Sequence, residues 1–280
     1  MAEQTPLETL QALGIDATGE AEALGGGDIG KVWRIPTRQG ELLVKHADAG
    51  GLEAEVEGLE TLRKACTRLI IPEVLGLLDG ALVMTYLPPA RPKREMHETF
   101  GHGLRELHQH TASHHGWHRD NLAGTTPQHN PKTADGRVFQ REQRLMALAA
   151  RCLDQGSLDH GLYDDLSKVA HALESWLPDA PPSLLHGDLW SGNIHFSTQG
   201  PALIDPAVYY HYPDVDIALL ELFGRPHDAF YEAYWDGQIP DDWSQRRALF
   251  QLYPLLNHLY MFGGSYLGGV RSTVAQLPQA

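Results

Sequence analysis

Only two cysteines, Cys66 and Cys152, occur in 280 residues, and they stand in separate helix-like segments. A disulfide-stapled scaffold is therefore not expected, and both should be ordinary thiols. No run of about eighteen apolar residues occurs, which excludes an evident membrane-spanning helix. The start, MAEQTPLETLQALG, lacks the basic residues and apolar stretch of a secretory signal, so a cytoplasmic location is expected. Positive charge is scarce as well. Lys and Arg total 22 against 36 Asp and Glu, a net charge of −14, which argues against nucleic acid as the main partner. Internal repeats and low-complexity linkers are absent.

What is there is enough for one large domain or two lobes, with 42% hydrophobic residues. Residues 3–13 read as a short amphipathic helix. KVWRIP and GELLVKHA are strand-like runs joined by a turn at Thr37–Gly40. In GLEAEVEGLETLRKAC the spacing of Leu52, Val56, Leu59 and Leu62 predicts a helix with one buried face. EVLGLLDGALVMTYL reads as a hairpin turning at Asp79–Gly80. The proline-rich, basic PPARPKRE then separates two expected domains, 1–88 and 89–280. Helices are expected at 95–110, 137–153, 160–176, 215–223, 227–236 and 243–262, interrupted by a strand–loop–strand over 183–206. The fold class is therefore α+β, a small sheet-rich lobe against a larger helical one, with a cleft between them.

The interruption carries the chemistry. In HGDLWSGN, Asp188 and Asn193 are separated by four residues, the spacing of a kinase catalytic loop. An Asp there can orient an attacking hydroxyl, and an Asn one short turn later can reach a magnesium ion. Asp205 ends the next strand-like run, PALID, where a second oxygen ligand for that hard cation belongs. Each residue alone could merely cap a turn. Their order, with His186 ahead, makes the catalytic reading the stronger one.

Upstream, Gly25, Gly27 and Gly30 have the spacing of a kinase glycine-rich loop. Strand-like residues follow them, which suits a phosphate-covering hairpin better than a dinucleotide fold. Lys45 in the next strand can reach nucleotide phosphates, and Glu55 at the edge of the helical apolar stripe can hold it. Glu53, Glu57 and Glu60 are expected to form a solvated face. The set describes a bilobal, protein-kinase-like phosphotransferase using ATP and Mg2+. Gly187 stands where many protein kinases carry an arginine, and only ten residues separate Asp205 from Asp216. A long peptide-holding activation segment does not fit, so a small-molecule acceptor is expected. Asp216 is expected to anchor the catalytic loop through backbone hydrogen bonds.

HGDLWSGN, IDPAVYY, DIALLELFG, GWHRDNLAGTTPQHN and LYPLLNHLYMFGGSYLG together resemble the fructosamine kinase (ketosamine 3-kinase) family, over about residues 20–272. The resemblance implies transfer of the ATP γ-phosphate to the sugar 3-hydroxyl of ketosamines, free or as glycated lysines on proteins, and so deglycation repair. It implies Asp188 as base, Asn193 and Asp205 as metal ligands, and Lys45 with Glu55 as the phosphate-positioning pair. Trp190 looks like a family mark, either a wall of the sugar pocket or packing beneath the loop. His258 either faces the substrate cleft or is a satisfied core residue. The family's Y-G-H-x-E-x-D run stands here as Tyr210-His211-Tyr212-Pro213-Asp214-Val215-Asp216, and its aromatic stretch is thinned to Val138–Phe139. Asp28 replaces a cysteine found in many relatives, which removes a thiol switch. Other small-molecule kinases with the Asp–Asn frame, acting on aminoglycosides or choline-like amino alcohols, are the alternative; a nucleotide-binding scaffold without transfer is a third.

Sixteen histidines occur, five of them in LHQHTASHHGWH at 107–118. Their spacing suits no tight ligand pair on one helix face, so structural or solvated roles are expected rather than zinc. Tyr253, Tyr260 and Tyr266 are expected in the core.

Overall fold

The computed structural model describes residues 4–25, 30–78 and 80–278. Gly27 and Asp28 of the glycine-rich segment and Asp79 of the second hairpin turn lie outside the described residues.

The chain opens with α1 (Pro6–Ala12), started by a capping box in which Thr5 Oγ1 accepts from Glu8 N while Glu8 accepts from Thr5 N. Five strands follow with a helix among them: β1 (Glu22–Leu24), β2 (Lys31–Thr37), β3 (Gly40–His46), α2 (Ala49–Ala65), β4 (Val74–Leu78) and β5 (Ala81–Thr85). They form one antiparallel sheet in the order β1-β2-β3-β5-β4. The β2–β3 turn is closed by Thr37 Oγ1 donating to Gly40 O at 2.7 Å. Alternation along β3 decides what faces where. Leu42 and Val44 join Leu10, Ile35 and Val83 in a small core beneath α1. Leu43 and Lys45 therefore lie on the opposite face, where Leu43 packs against the main core.

The rest is mostly helical: α3 (Arg94–His108), β6 (Asn121–Ala123), β7 (Thr126–Gln128), α4 (Gly136–Phe139), α5 (Ala147–Asp154), α6 (His160–His171), β8 (Ser183–Leu185), β9 (Ile194–Ser197), β10 (Gly200–Leu203), β11 (Tyr209–His211), α7 (Asp214–Leu222), α8 (Asp228–Tyr234), α9 (Trp243–Phe262) and α10 (Leu267–Val274). A π-helical stretch, Gln140–Met146, joins α4 to α5. Three two-stranded ladders, β6–β7, β8–β11 and β9–β10, punctuate the helices. The main core is continuous between the two parts, since Leu59 and Leu62 of α2 and Leu82 of β5 belong to one cluster with Leu104, Leu107 and Leu203. Among the described residues no helix is long and apolar enough to cross a membrane.

All six expected helical stretches form, with ends shifted by a few residues and with the π stretch inside the second. The ladder β6–β7 and the helix α10 were not foreseen. Both cysteines are free, and burial pushes the Cys66 thiol up to about 12.

Candidate active site

The site is assembled from a lysine on the sheet, a glutamate on α2 and the turns around β8–β10. Glu55 lies three residues after Leu52 and four before Leu59, so it sits within the buried stripe of α2 rather than at its edge, and it is more buried than Val56. Its Oε2 accepts from Lys45 Nζ at 2.7 Å. The same ammonium donates to Asp205 Oδ1 at 2.8 Å. Two carboxylates thus share one cation. Burial, assisted by the nearby Asp205 charge and opposed by Lys45, lifts Glu55 to about 7. Burial works against the Lys45 charge, but the two carboxylates outweigh it and raise its pKa. Around Asp205 the surrounding protein opposes ionisation, yet Lys45 prevails and the carboxyl sits below its ordinary value.

Asp205 follows β10 in the left-handed region, with φ +52, a conformation a non-glycine residue holds only where its surroundings over-determine it. Its side chain remains 47% exposed. Ile204 N donates to Asn193 O at 3.1 Å, which couples the Asp205 turn to the catalytic-type loop. Within that loop both hydrogens of the Asn193 amide are used, on Asp188 O at 2.8 Å and Asp188 Oδ2 at 3.0 Å. The amide carbonyl Oδ1 keeps its lone pairs free for a cation. Asp188 is raised above its ordinary pKa chiefly by burial.

Gly187 has φ +84, and a Cβ there would stand 2.0 Å from Ala207 O. No side chain fits at this position without a shift of the backbone. Fully buried Asp216 accepts from His186 N at 2.8 Å and Gly187 N at 2.9 Å, the anchoring expected of it. His186 accepts at Nδ1 from Asp188 N (3.3 Å), so its Nε2–H donates to Ile204 O at 2.9 Å. Each turn of the site is held by a buried polar group.

Gly25 and Gly30 flank the connection between antiparallel β1 and β2, and a Cβ on Gly30 would meet His46 O at 2.8 Å. Trp190 does not pack beneath the loop. It lies over Gly192, remains 41% exposed and meets Phe223 edge-to-face at 6.4 Å. From Phe223 the ring contacts continue to His258 at 5.3 Å, and His258 in turn meets Phe262 and Tyr266. Phe223 and Phe262 were missed by sequence reasoning; both are exposed aromatic residues at helix ends. His258 Nδ1 bonds Pro254 O at 2.6 Å, leaving Nε2 available. Tyr253, Tyr260 and Tyr266 all pack partly buried against the main core.

Within the histidine-rich segment some rings are structural and others, such as His114 and His118, are exposed. His108 joins Asp216 to Tyr234, His110 bonds Ala65 O, and His115 meets His211 Nδ1-to-Nδ1 at 2.8 Å. Among the described residues no group of three His, Cys, Asp or Glu forms a metal cluster. The departures at His211 and Tyr212 are absorbed by the core: His211 bonds Gln140, and buried Tyr212 bonds Pro178 O. Glu57 departs from the expected solvated face: although partly exposed, it accepts from Trp117 Nε1 at 2.9 Å and pairs with His118 and Arg119.

A sheet lysine paired to a helix glutamate, facing an Asp–Asn loop and a second Asp, in an α+β kinase-like fold, defines an ATP-dependent phosphotransferase of the small-molecule kinase class. The family model for fructosamine kinase matches residues 2–280, and the chain belongs to that family. A Thermus thermophilus protein named as a probable ketoamine kinase is 32% identical, with 95% of this chain and 97% of its own covered. An Escherichia coli protein of the same description is 33% identical, with 87% of each covered. The crystal structure of a candidate fructosamine-3-kinase from Thermobifida fusca superposes with a TM-score of 0.88 at 30% identity, covering 97% of each chain. An ADP-bound aminoglycoside phosphotransferase shares the fold, with a TM-score of 0.64 at 14% identity over 96% of each chain.

Proposed function

We propose that this chain phosphorylates the sugar 3-hydroxyl of ketosamines, fructosamines or ribulosamines, and so serves deglycation repair. The observation that carries the reading is the single network Glu55–Lys45–Asp205, then Ile204–Asn193–Asp188, inside a member of the fructosamine kinase family. In this reading residues 1–88 form the nucleotide-side lobe, with Gly25, Gly27 and Gly30 over the phosphates, and residues 89–280 the acceptor-side lobe. Lys45, steered by Glu55, contacts the nucleotide phosphates. Asn193 Oδ1 and the Asp205 carboxylate are hard oxygen donors on adjoining turns and fit Mg2+, which supplies neutralisation of phosphate charge when bound. Asp188 accepts the proton of the attacking hydroxyl, and its raised pKa favours that step. In this reading the exposed Trp190 ring and the half-buried His258 ring, linked through Phe223, serve the acceptor side and can cover the apolar face of a sugar. The negative net charge suits a cationic amine substrate, and the need for ATP suits a cytoplasmic setting.

The test is ADP release and product mass with Mg-ATP and a panel of fructose-lysine, ribulose-lysine, an aminoglycoside and choline. One added phosphoryl group on a ketosamine is expected, with Asp188→Asn lowering turnover by about 10²–10⁴-fold. Mutant-sensitive turnover confined to the aminoglycoside or choline would replace the ketosamine reading with the amino-alcohol one.

A further inference from the structure

The segment ahead of β6 grips α2 from its half-exposed side. Trp117 Nε1 donates to Glu57 Oε1 at 2.9 Å, and His118 Nε2 stands 2.6 Å from the same oxygen. Arg119 reaches Glu57 Oε2 at 3.5 Å and Glu53 Oε2 at 3.3 Å. On its other side this segment is tied to the stretch that follows Asp205. Gly116 and Tyr210 exchange two backbone hydrogen bonds, of 2.8 and 3.0 Å. The Trp117 ring lies 5.5 Å from that of Tyr210, and Asn121 Nδ2 donates to Val208 O at 3.1 Å. α2 and the Asp205 stretch also touch directly, since a Cβ on Gly58 would come within 2.9 Å of Pro206. Residues 116–121 therefore bracket the two elements that bring Glu55 and Asp205 to Lys45.

We infer that Trp117 and Glu57 are positioning residues for the phosphate-contacting lysine. They hold α2 at the rotation and height at which Glu55 meets Lys45. The inference rests on the reading of Lys45 and Glu55 given above. Its physical basis is the sensitivity of a helix to slippage: one residue is about 100° of rotation and 1.5 Å of rise. Such a slip would carry Glu55 out of its 2.7 Å contact with Lys45 Nζ. The bracket opposes it because Glu57, two residues on, accepts from Trp117 and Arg119 and pairs with His118, all on a segment that is itself bonded to the stretch that follows Asp205. In many kinases the position of the corresponding helix is set by a switch. Here the chain supplies the grip from its own loop, so the lysine–glutamate pair is held ready without one.

The alternative is a set of rim contacts that add a little stability and nothing else. A double-mutant cycle separates the two. Glu57→Ala, Glu57→Gln, Glu55→Gln and the Glu55→Gln/Glu57→Ala double variant are made in the full chain. MgADP affinity is measured by calorimetry, without any acceptor, together with kcat and KM for ATP and thermal unfolding. Glu57→Ala is expected to weaken MgADP binding and lower kcat/KM for ATP on the order of tenfold, the size of coupling between groups in one network. KM for the acceptor should stay unchanged, and Glu57→Gln, which still accepts from Trp117, should recover most of the loss. In the Glu55→Gln background the further loss should be less than about twofold. Unchanged nucleotide affinity in Glu57→Ala, or an equal loss with and without Glu55, overturns the inference. Failure of wild-type protein to bind MgADP would remove the reading of the site itself. An absence of ketosamine turnover would leave the binding cycle decisive.

Discussion

Asp216 and Glu57 do comparable work in different surroundings. Each is a carboxylate with three partners, and each holds a part of the site that it does not itself complete. Asp216 has no exposed surface and accepts from His186 N, Gly187 N and His108 Nε2. Glu57 keeps 27% of its side chain exposed and meets Trp117, His118 and Arg119. Around Asp216 water cannot replace a lost acceptor, so the loop backbone has no alternative partner. Around Glu57 it can, so its contacts adjust position without deciding whether the chain folds. The Asp188 loop is thereby built into the core, while α2 is trimmed from the surface.

The strongest way to break this comparison is to remove both carboxylates and measure chemical denaturation. Asp216→Ala orphans two backbone donors and an imidazole, and should cost about 3–5 kcal/mol. Glu57→Ala should cost less than about 1 kcal/mol. Equal losses would mean that burial does not distinguish the two anchors.

A smaller effect sharpens the same contrast within the glycines. Gly187→Ala places a Cβ 2.0 Å from Ala207 O at a φ of +84, whereas nothing lies within 4 Å of a Cβ on Gly25. The first should destabilise by about 2–4 kcal/mol and the second by about 0.5 kcal/mol or less. Comparable denaturation midpoints for the two variants would show that the catalytic-type loop yields as readily as the hairpin between β1 and β2.

The residues that the fold gathers into the candidate site could be picked out in the sequence because each sits on a short local pattern. The four-residue gap between Asp188 and Asn193, the apolar period around Glu55 and the strand placing Lys45 are all written within about twenty residues. What escaped is long-range. Trp117 meets Glu57 sixty residues earlier in the chain, and Asn121 meets Val208 eighty-seven residues later, contacts that leave no periodicity to read. Glu57 therefore looked like any acid on a polar helix face. At the family's Gly-His pair, sequence likewise cannot show that His211 and Tyr212 both turn into the core. The short strands β6 and β7 escaped for a related reason, since three-residue ladders are set by their neighbours and not by their own propensity.

The buried histidines give the most gradual effect, and they extend the comparison to pH. His211 donates from Nε2 to Gln140, so its Nδ1 accepts from His115 Nδ1–H. Protonating His211 would set two donors against each other, with the Arg144 cation also nearby. Burial leads in depressing both imidazoles, His115 to about 4 and His211 well below its ordinary value. Asp135 pulls His115 the other way without reversing the shift. Above pH 6.5, the ordinary imidazole value, both states hold these rings neutral and stability is indifferent to them. As pH falls from 6.5 toward 4, the unfolded chain takes up protons that folded His115 refuses, so stability declines across that window. Each such proton contributes up to about 1.4 kcal/mol per pH unit. His115→Gln, whose amide can still donate to His211, should lose one proton's worth of that slope while leaving stability above pH 6.5 nearly as it was. Denaturation midpoints between pH 7.5 and 4.5 measure it, and identical slopes in wild type and variant would mean that His115 titrates alike in the folded and unfolded chain.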